Sequence, residues 1–125
     1  MRAWQKLVSN EVRLSRKAFI DFDEIQHWHE KEGYPERGLK IIKDIRTRIA
    51  KLKNPNISYK LHNDPALAKL GVHVINQKGF YIFYLTYKRE DKRNIVLIAR
   101  TGRSTRDWDS ILSNEDWNKF KAEML

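Results

Sequence analysis

At 125 residues the chain has the size of one domain, and a hydrophobic share of 41%, with four Trp, five Tyr and five Phe, is enough to build a core. Twenty-five Lys and Arg against 16 Asp and Glu leave a formal charge of +9, which favours an anionic partner such as nucleic acid, the ribosome or an acidic protein. There is no cysteine, which excludes disulfides and thiol chemistry.

The elements read in order as strand, helix, helix, three strands and a helical tail. Residues 1–10 form a polar lead with Trp4, Leu7 and Val8, and residues 11–15 read as a strand. Ser15 is placed to cap a first helix, in which Ala18, Phe22, Ile25 and His29 recur at helical spacing. The acidic cluster Asp21/Asp23/Glu24 reads as a solvated face of that helix. His27 and His29, two apart, point to different sides and make no metal pair. Gly33 ends the helix, and Pro35 sits where a helix accepts its first residue.

The second helix is expected from Pro35 to Leu52, with Leu39, Ile42, Ile45, Ile49 and Leu52 as its buried stripe. Its other face carries Arg37, Lys40, Lys43, Arg46, Arg48, Lys51 and Lys53, offset only by Glu36 and Asp44. That face suits a polyanion, an acidic protein segment or plain solvent, and charge alone does not separate these. Asn54-Pro55 stops the helix. The two helices, joined by a tight turn, should pack antiparallel.

Asp64-Pro65 is placed to cap a short helical turn through Leu70. Strands are then expected over Val72 to Asn76, Phe80 to Tyr87 and Asn94 to Arg100, antiparallel because their connections are short. Gln77-Lys78-Gly79 is a hairpin turn signal, and Lys88 to Arg93 is a charged turn. In the tail, Ser113-x-x-Asp116 resembles a capping box before a final amphipathic helix holding Trp117, Phe120 and Met124. One domain, 1–125, is expected, with a core over 12–112 and a helical extension over 113–125. The start Met1-Arg2-Ala3-Trp4-Gln5-Lys6 has no apolar signal-peptide core. The longest aliphatic run, Ile95 to Ala99, is far short of the ~20 residues of a membrane helix. A soluble, cytoplasmic protein with no membrane contact is expected.

Four stretches in this order carry a resemblance: VRLSRKAFIDFDEI (Val12 to Ile25), IRTRIAKL (Ile45 to Leu52) after the Pro-containing turn, GFYIFY (Gly79 to Tyr84) and IVLIARTGRSTRDW (Ile95 to Trp108). Together they resemble the RelE/ParE superfamily of toxins from type II toxin–antitoxin systems. The resemblance implies an α+β fold: an N-terminal strand and a helical hairpin packed on a small antiparallel β-sheet, here with a C-terminal helix. It implies a growth-arresting toxin held inactive by a cognate antitoxin. RelE-like members cut ribosome-bound mRNA without metal or other cofactor, and ParE-like members inhibit DNA gyrase without catalysis.

Metal-free RNA cleavage needs a base, an acid and cations for the phosphorane. Aligned on Gly79, the basic positions of RelE-like nucleases fall here on Val72, Val74 and Tyr81, without charge. Where many relatives carry a His before the Arg-Asp pair, this chain has Thr101. On this resemblance the candidate catalytic residues are Arg103, Arg106 and Tyr81. Arg100, Lys78 and Lys60 are the candidate phosphate-binding residues. Arginine suits phosphate because its planar fork donates two parallel hydrogen bonds. A salt bridge to Asp107 or Asp109 is the plainer reading of Arg106. Tyr81 and Phe83 share a strand face and either stack on bases or cover an apolar surface. His62, beside Lys60, is placed to reach the groove, and His73 to point into the core. The first functional expectation is mRNA cleavage on the ribosome. The alternatives are a gyrase inhibitor and a non-toxic relative that only binds its antitoxin.

Overall fold

The computed structural model describes residues 8–90 and 93–125. Trp4 and Leu7 of the lead, and Asp91 and Lys92 of the charged turn, lie outside the described residues.

Strand β1 (Glu11–Leu14) runs into helix α1 (Arg16–Lys31) through Ser15. The Ser15 hydroxyl accepts from the Ala18 N–H and donates to the Ala99 carbonyl, so one side chain caps the helix and ties it to the sheet. Helix α2 (Pro35–Ala50) continues as a 3₁₀ turn over Lys51–Lys53. Helix α3 (Pro65–Lys69) is short and is capped by Asp64, as expected. Strands β2 (His73–Gln77), β3 (Phe80–Tyr87) and β4 (Ile95–Arg103) follow, then α4 (Trp108–Ser113) and α5 (Trp117–Ala122).

The sheet order is β1-β4-β3-β2. The three later strands are antiparallel, as the short connections require. β1 joins β4 in parallel, Glu11 opposite Ile95 through Leu14 opposite Ile98, so the sheet is mixed. Lys78 and Gly79 close the β2–β3 hairpin with φ of 48° and 85°. Two positive φ values in a two-residue loop match the right-handed strand twist.

Both faces of the sheet are covered. Against one face lie Ala18, Phe22 and Ile25 of α1 and Ile45 and Ile49 of α2, over Ile75, Ile82, Tyr84, Val96 and Ile98. Against the other lie Leu67, Trp108, Leu112, Trp117, Phe120 and Met124, over Phe83, Leu85, Ile95, Leu97 and Ala99. Central strand β4 therefore alternates between two cores rather than between core and water. That is why its sequence reads as an unbroken aliphatic run. A bulge opens where Phe83 pairs with Arg100 and Tyr84 pairs with Ile98, leaving Ala99 as the extra residue.

Three expectations are corrected. Leu39 is 60% exposed, because it sits off the stripe formed by Ile45, Ile49 and Leu52. Asp21 is 2% exposed rather than solvated. The tail forms two short helices, with Asp116 as the cap of the second; the Ser113 hydroxyl donates to the Ser110 carbonyl instead of capping. Among the described residues no helix is long and apolar enough to cross a membrane.

Candidate functional site

The end of β4 beyond β1 organises the candidate residues. β1 stops at Leu14, opposite Ile98, so the backbone of Arg100 and Thr101 is left without a strand partner on that side. Asp21 of α1 fills the gap. Its carboxylate accepts from the Thr101 N–H at 3.0 Å and from Arg100 Nε and Nη2 at 2.8 and 2.9 Å. Glu115, between α4 and α5, binds Arg100 Nη1 and Lys17 Nζ. Burial alone would lower the pKa of Arg100; its hydrogen bonds and charge pairing with Asp21 and Glu115 outweigh it and raise that pKa. Arg100 thus joins α1, β4 and the tail. Asp21 and Glu115 take three of its N–H donors, one each from Nε, Nη1 and Nη2, so the residue expected to bind phosphate is held in an ion cluster.

Beyond Arg100 the strand divides its side chains between the two faces. Arg103 pairs across with Phe80 on the helical-hairpin side, and its guanidinium lies 3.9 Å above the Trp28 ring of α1. That is stacking distance for a cation on an indole. Arg106 lies 5.1 Å over the Trp108 ring, with Glu24 3.9 Å away. Its acidic neighbour is Glu24, not the expected Asp107 or Asp109. Arg103 and Arg106 line a cleft of about 290 Å³ with Asp21, Glu24, Ile25 and Trp28.

Tyr81 faces the other way. It pairs with Gly102, and its ring meets the Phe83 ring edge-on at 5.7 Å. A groove of about 780 Å³ opens here, lined by Tyr81, Phe83 and Trp108, by Lys60 and His62, and by Asp64 and Asp109. The loop holding Lys60 and His62 is fixed to β2, with the His62 N–H on the Val72 carbonyl and the Val74 N–H on the Lys60 carbonyl. His62 Nδ1 accepts from the Asp64 N–H at 3.0 Å. His73 instead stacks on Tyr84 at 4.6 Å, with Nδ1 bonded to the Tyr59 carbonyl.

Lys78 belongs to neither cleft. It sits at the hairpin apex beside Arg48 and Lys51, around a third concavity. The six candidates therefore separate. Tyr81 and Lys60 share the groove, Arg103 and Arg106 share the opposite cleft, Arg100 is locked in an ion cluster and Lys78 stands apart. His62 joins the groove, as its neighbour Lys60 suggested. The roles of Asp21, Glu115 and Trp28 were not legible, because their partners lie far away in sequence.

An α+β domain, with a helical hairpin on one face of a four-stranded mixed sheet and the tail helices on the other, is the class these features define. Residues 12–108 match the family described as ParE toxin of type II toxin-antitoxin system, parDE, and the chain belongs to that family. A solved structure of the chromosomal ParDE TA system from P. aeruginosa is similar in fold, with a TM-score of 0.62 at 20% sequence identity. The similarity covers 78% of this chain and 98% of that one. No curated protein matches the sequence.

Proposed function

We propose that this protein is a growth-arresting toxin that acts by binding a protein target, DNA gyrase, and not by cutting mRNA. The observation that carries this reading is the dispersal of the cleavage candidates over separate surfaces. A phosphorane needs several cations around one point. In the groove Lys60 faces two carboxylates, Asp64 and Asp109, so the charge there does not favour a polyanion. The helical hairpin meanwhile exposes Phe19, Ile20, Trp28, Tyr34 and Leu39. These exposed apolar side chains give a protein partner surface to bury. Family membership gives the toxin a cognate antitoxin as its second partner.

One arrangement favours the nuclease reading. Lys60, His62 and Tyr81 share a groove floored by Phe83 and Trp108, where a base has room to stack. Expression of the chain without antitoxin, with pulse-labelling of new DNA and new protein, separates the two. Under the gyrase reading DNA synthesis falls first, and the double variant His62→Ala/Tyr81→Phe still arrests growth. An early fall in protein synthesis, with cut ribosome-bound mRNA and a harmless double variant, overturns it.

A further inference from the structure

The concavity beside the β2–β3 turn is built almost entirely from hydrogen-bond donors. It has a volume of about 380 Å³ and is lined by Arg48 and Lys51, by Asn76, Gln77 and Lys78, and by Asp44 and Thr47. Both amides have their oxygens engaged. Asn76 Oδ1 accepts from the Gly79 N–H at 3.1 Å, and Gln77 Oε1 accepts from Arg48 Nη1 at 2.9 Å. Among the described residues their NH₂ groups have no hydrogen-bond partner, which leaves them as donors at the hollow. Arg48 is held by Gln77 and by the Tyr59 hydroxyl, on which Nε donates at 2.9 Å, so its second terminal nitrogen is fixed in direction. Lys51 and Lys78 add two exposed ammonium groups. Asp44, the one carboxylate, is offset by Lys40 at 3.3 Å.

This donor-lined hollow continues along α2, where Lys40, Lys43, Thr47 and Lys51 recur at spacings of three and four over ~16 Å of axis. A ligand that fits must be an acceptor only, negatively charged and extended. An acidic protein segment would also need apolar anchors at the centre of its interface, and no lining residue here is apolar. Nucleic-acid interfaces are polar and strongly basic.

We infer that the α2 face and the β2–β3 turn form a binding site for the phosphate backbone of double-stranded DNA. The choice of DNA over RNA rests on the gyrase reading, since that target works on duplex DNA; the phosphate site itself does not. On a gyrase–DNA complex, α1 would engage the protein while the basic face of α2 tracks the adjoining backbone.

The test is binding of the purified chain to a short labelled DNA duplex, without gyrase, across a salt series. Affinity should fall linearly on a log–log plot, with a slope of about −0.9 for each phosphate neutralised. Lys51→Gln/Lys78→Gln should bind more weakly and flatten that slope by about 2. Lys119→Gln/Lys121→Gln, with the same change of charge on α5, should leave it unchanged. Equal losses in the two double variants, or none in the first, overturn the site. Tighter binding to an RNA duplex of equal length overturns the choice of DNA, and tighter binding to a poly-glutamate peptide overturns the phosphate assignment. Gyrase inhibition is read separately in a supercoiling assay, so either result stands if the other fails.

Discussion

Asp21 satisfies a strand N–H and an arginine fork from one buried carboxylate, so its removal leaves Arg100 partly unpaired in a site where it is 12% exposed. Breaking a buried pair from one side costs about 3–5 kcal/mol. Asp21→Ala should lose that much in urea unfolding; a loss below ~1 kcal/mol would mean the cluster behaves as a surface pair. Tyr84 makes a second prediction. Burial raises its pKa above the ordinary 10.0, against the lowering effect of its bond to the Tyr59 backbone. Its contribution to stability is full below the unfolded tyrosine value and is lost as pH rises through the folded one. Stability should therefore drop above about pH 10, and Tyr84→Phe should flatten that drop. The variant also strands the Tyr59 N–H that the phenol oxygen accepts at 3.0 Å, at a cost of about 1–3 kcal/mol near neutral pH. An alkaline profile unchanged by the substitution would remove Tyr84 from the explanation. In the sequence, Arg100, Arg103 and Arg106 look alike. Only the fold brings Asp21, 79 positions away, against the first of them.

Local pattern made most elements legible and left their packing partners hidden. The Ser15 cap, the Asp64 cap, the Lys78-Gly79 turn and the limits of β3 all follow from short-range chemistry. Leu39 misled because its step of three to Ile42 looks helical, while at about 100° per residue it falls well round the helix from Ile45 and Ile49 and stays exposed. The parallel placement of β1 depends on a pairing across more than 80 residues, which periodicity does not encode. Packing between β4 and α4 is tight at Gly102. A Cβ there would stand 2.8 Å from one ring carbon of Trp108 and 3.2 Å from another. The indole cannot yield easily, because Trp108 is buried and its N–H donates to the Arg103 carbonyl at 2.7 Å. Gly102→Ala should thus cost about 1–3 kcal/mol, seen as a lower Tm and altered tryptophan fluorescence. An unchanged melt would show that α4 shifts freely.

Across the whole molecule, the sheet keeps the functional candidates apart. Its two faces hold the Tyr81 groove and the Arg103 cleft, and its hairpin end carries the phosphate-accepting hollow. A formal charge of +9 gave no hint of this division, because composition does not say which side of a strand a charge takes. Strand parity does, and the Ala99 bulge sets it for the residues that follow. The spread of the cations over separate surfaces is what the proposed protein-binding mechanism rests on. The most direct measurement is the supercoiling of relaxed plasmid by purified gyrase and ATP with increasing amounts of this protein, using wild type and His62→Ala/Tyr81→Phe. Both should stop supercoiling at concentrations near that of the gyrase. Full supercoiling in the presence of excess folded toxin, with cleavage of ribosome-bound mRNA by wild type but not the variant, would contradict a protein-binding mechanism and return the groove to catalysis.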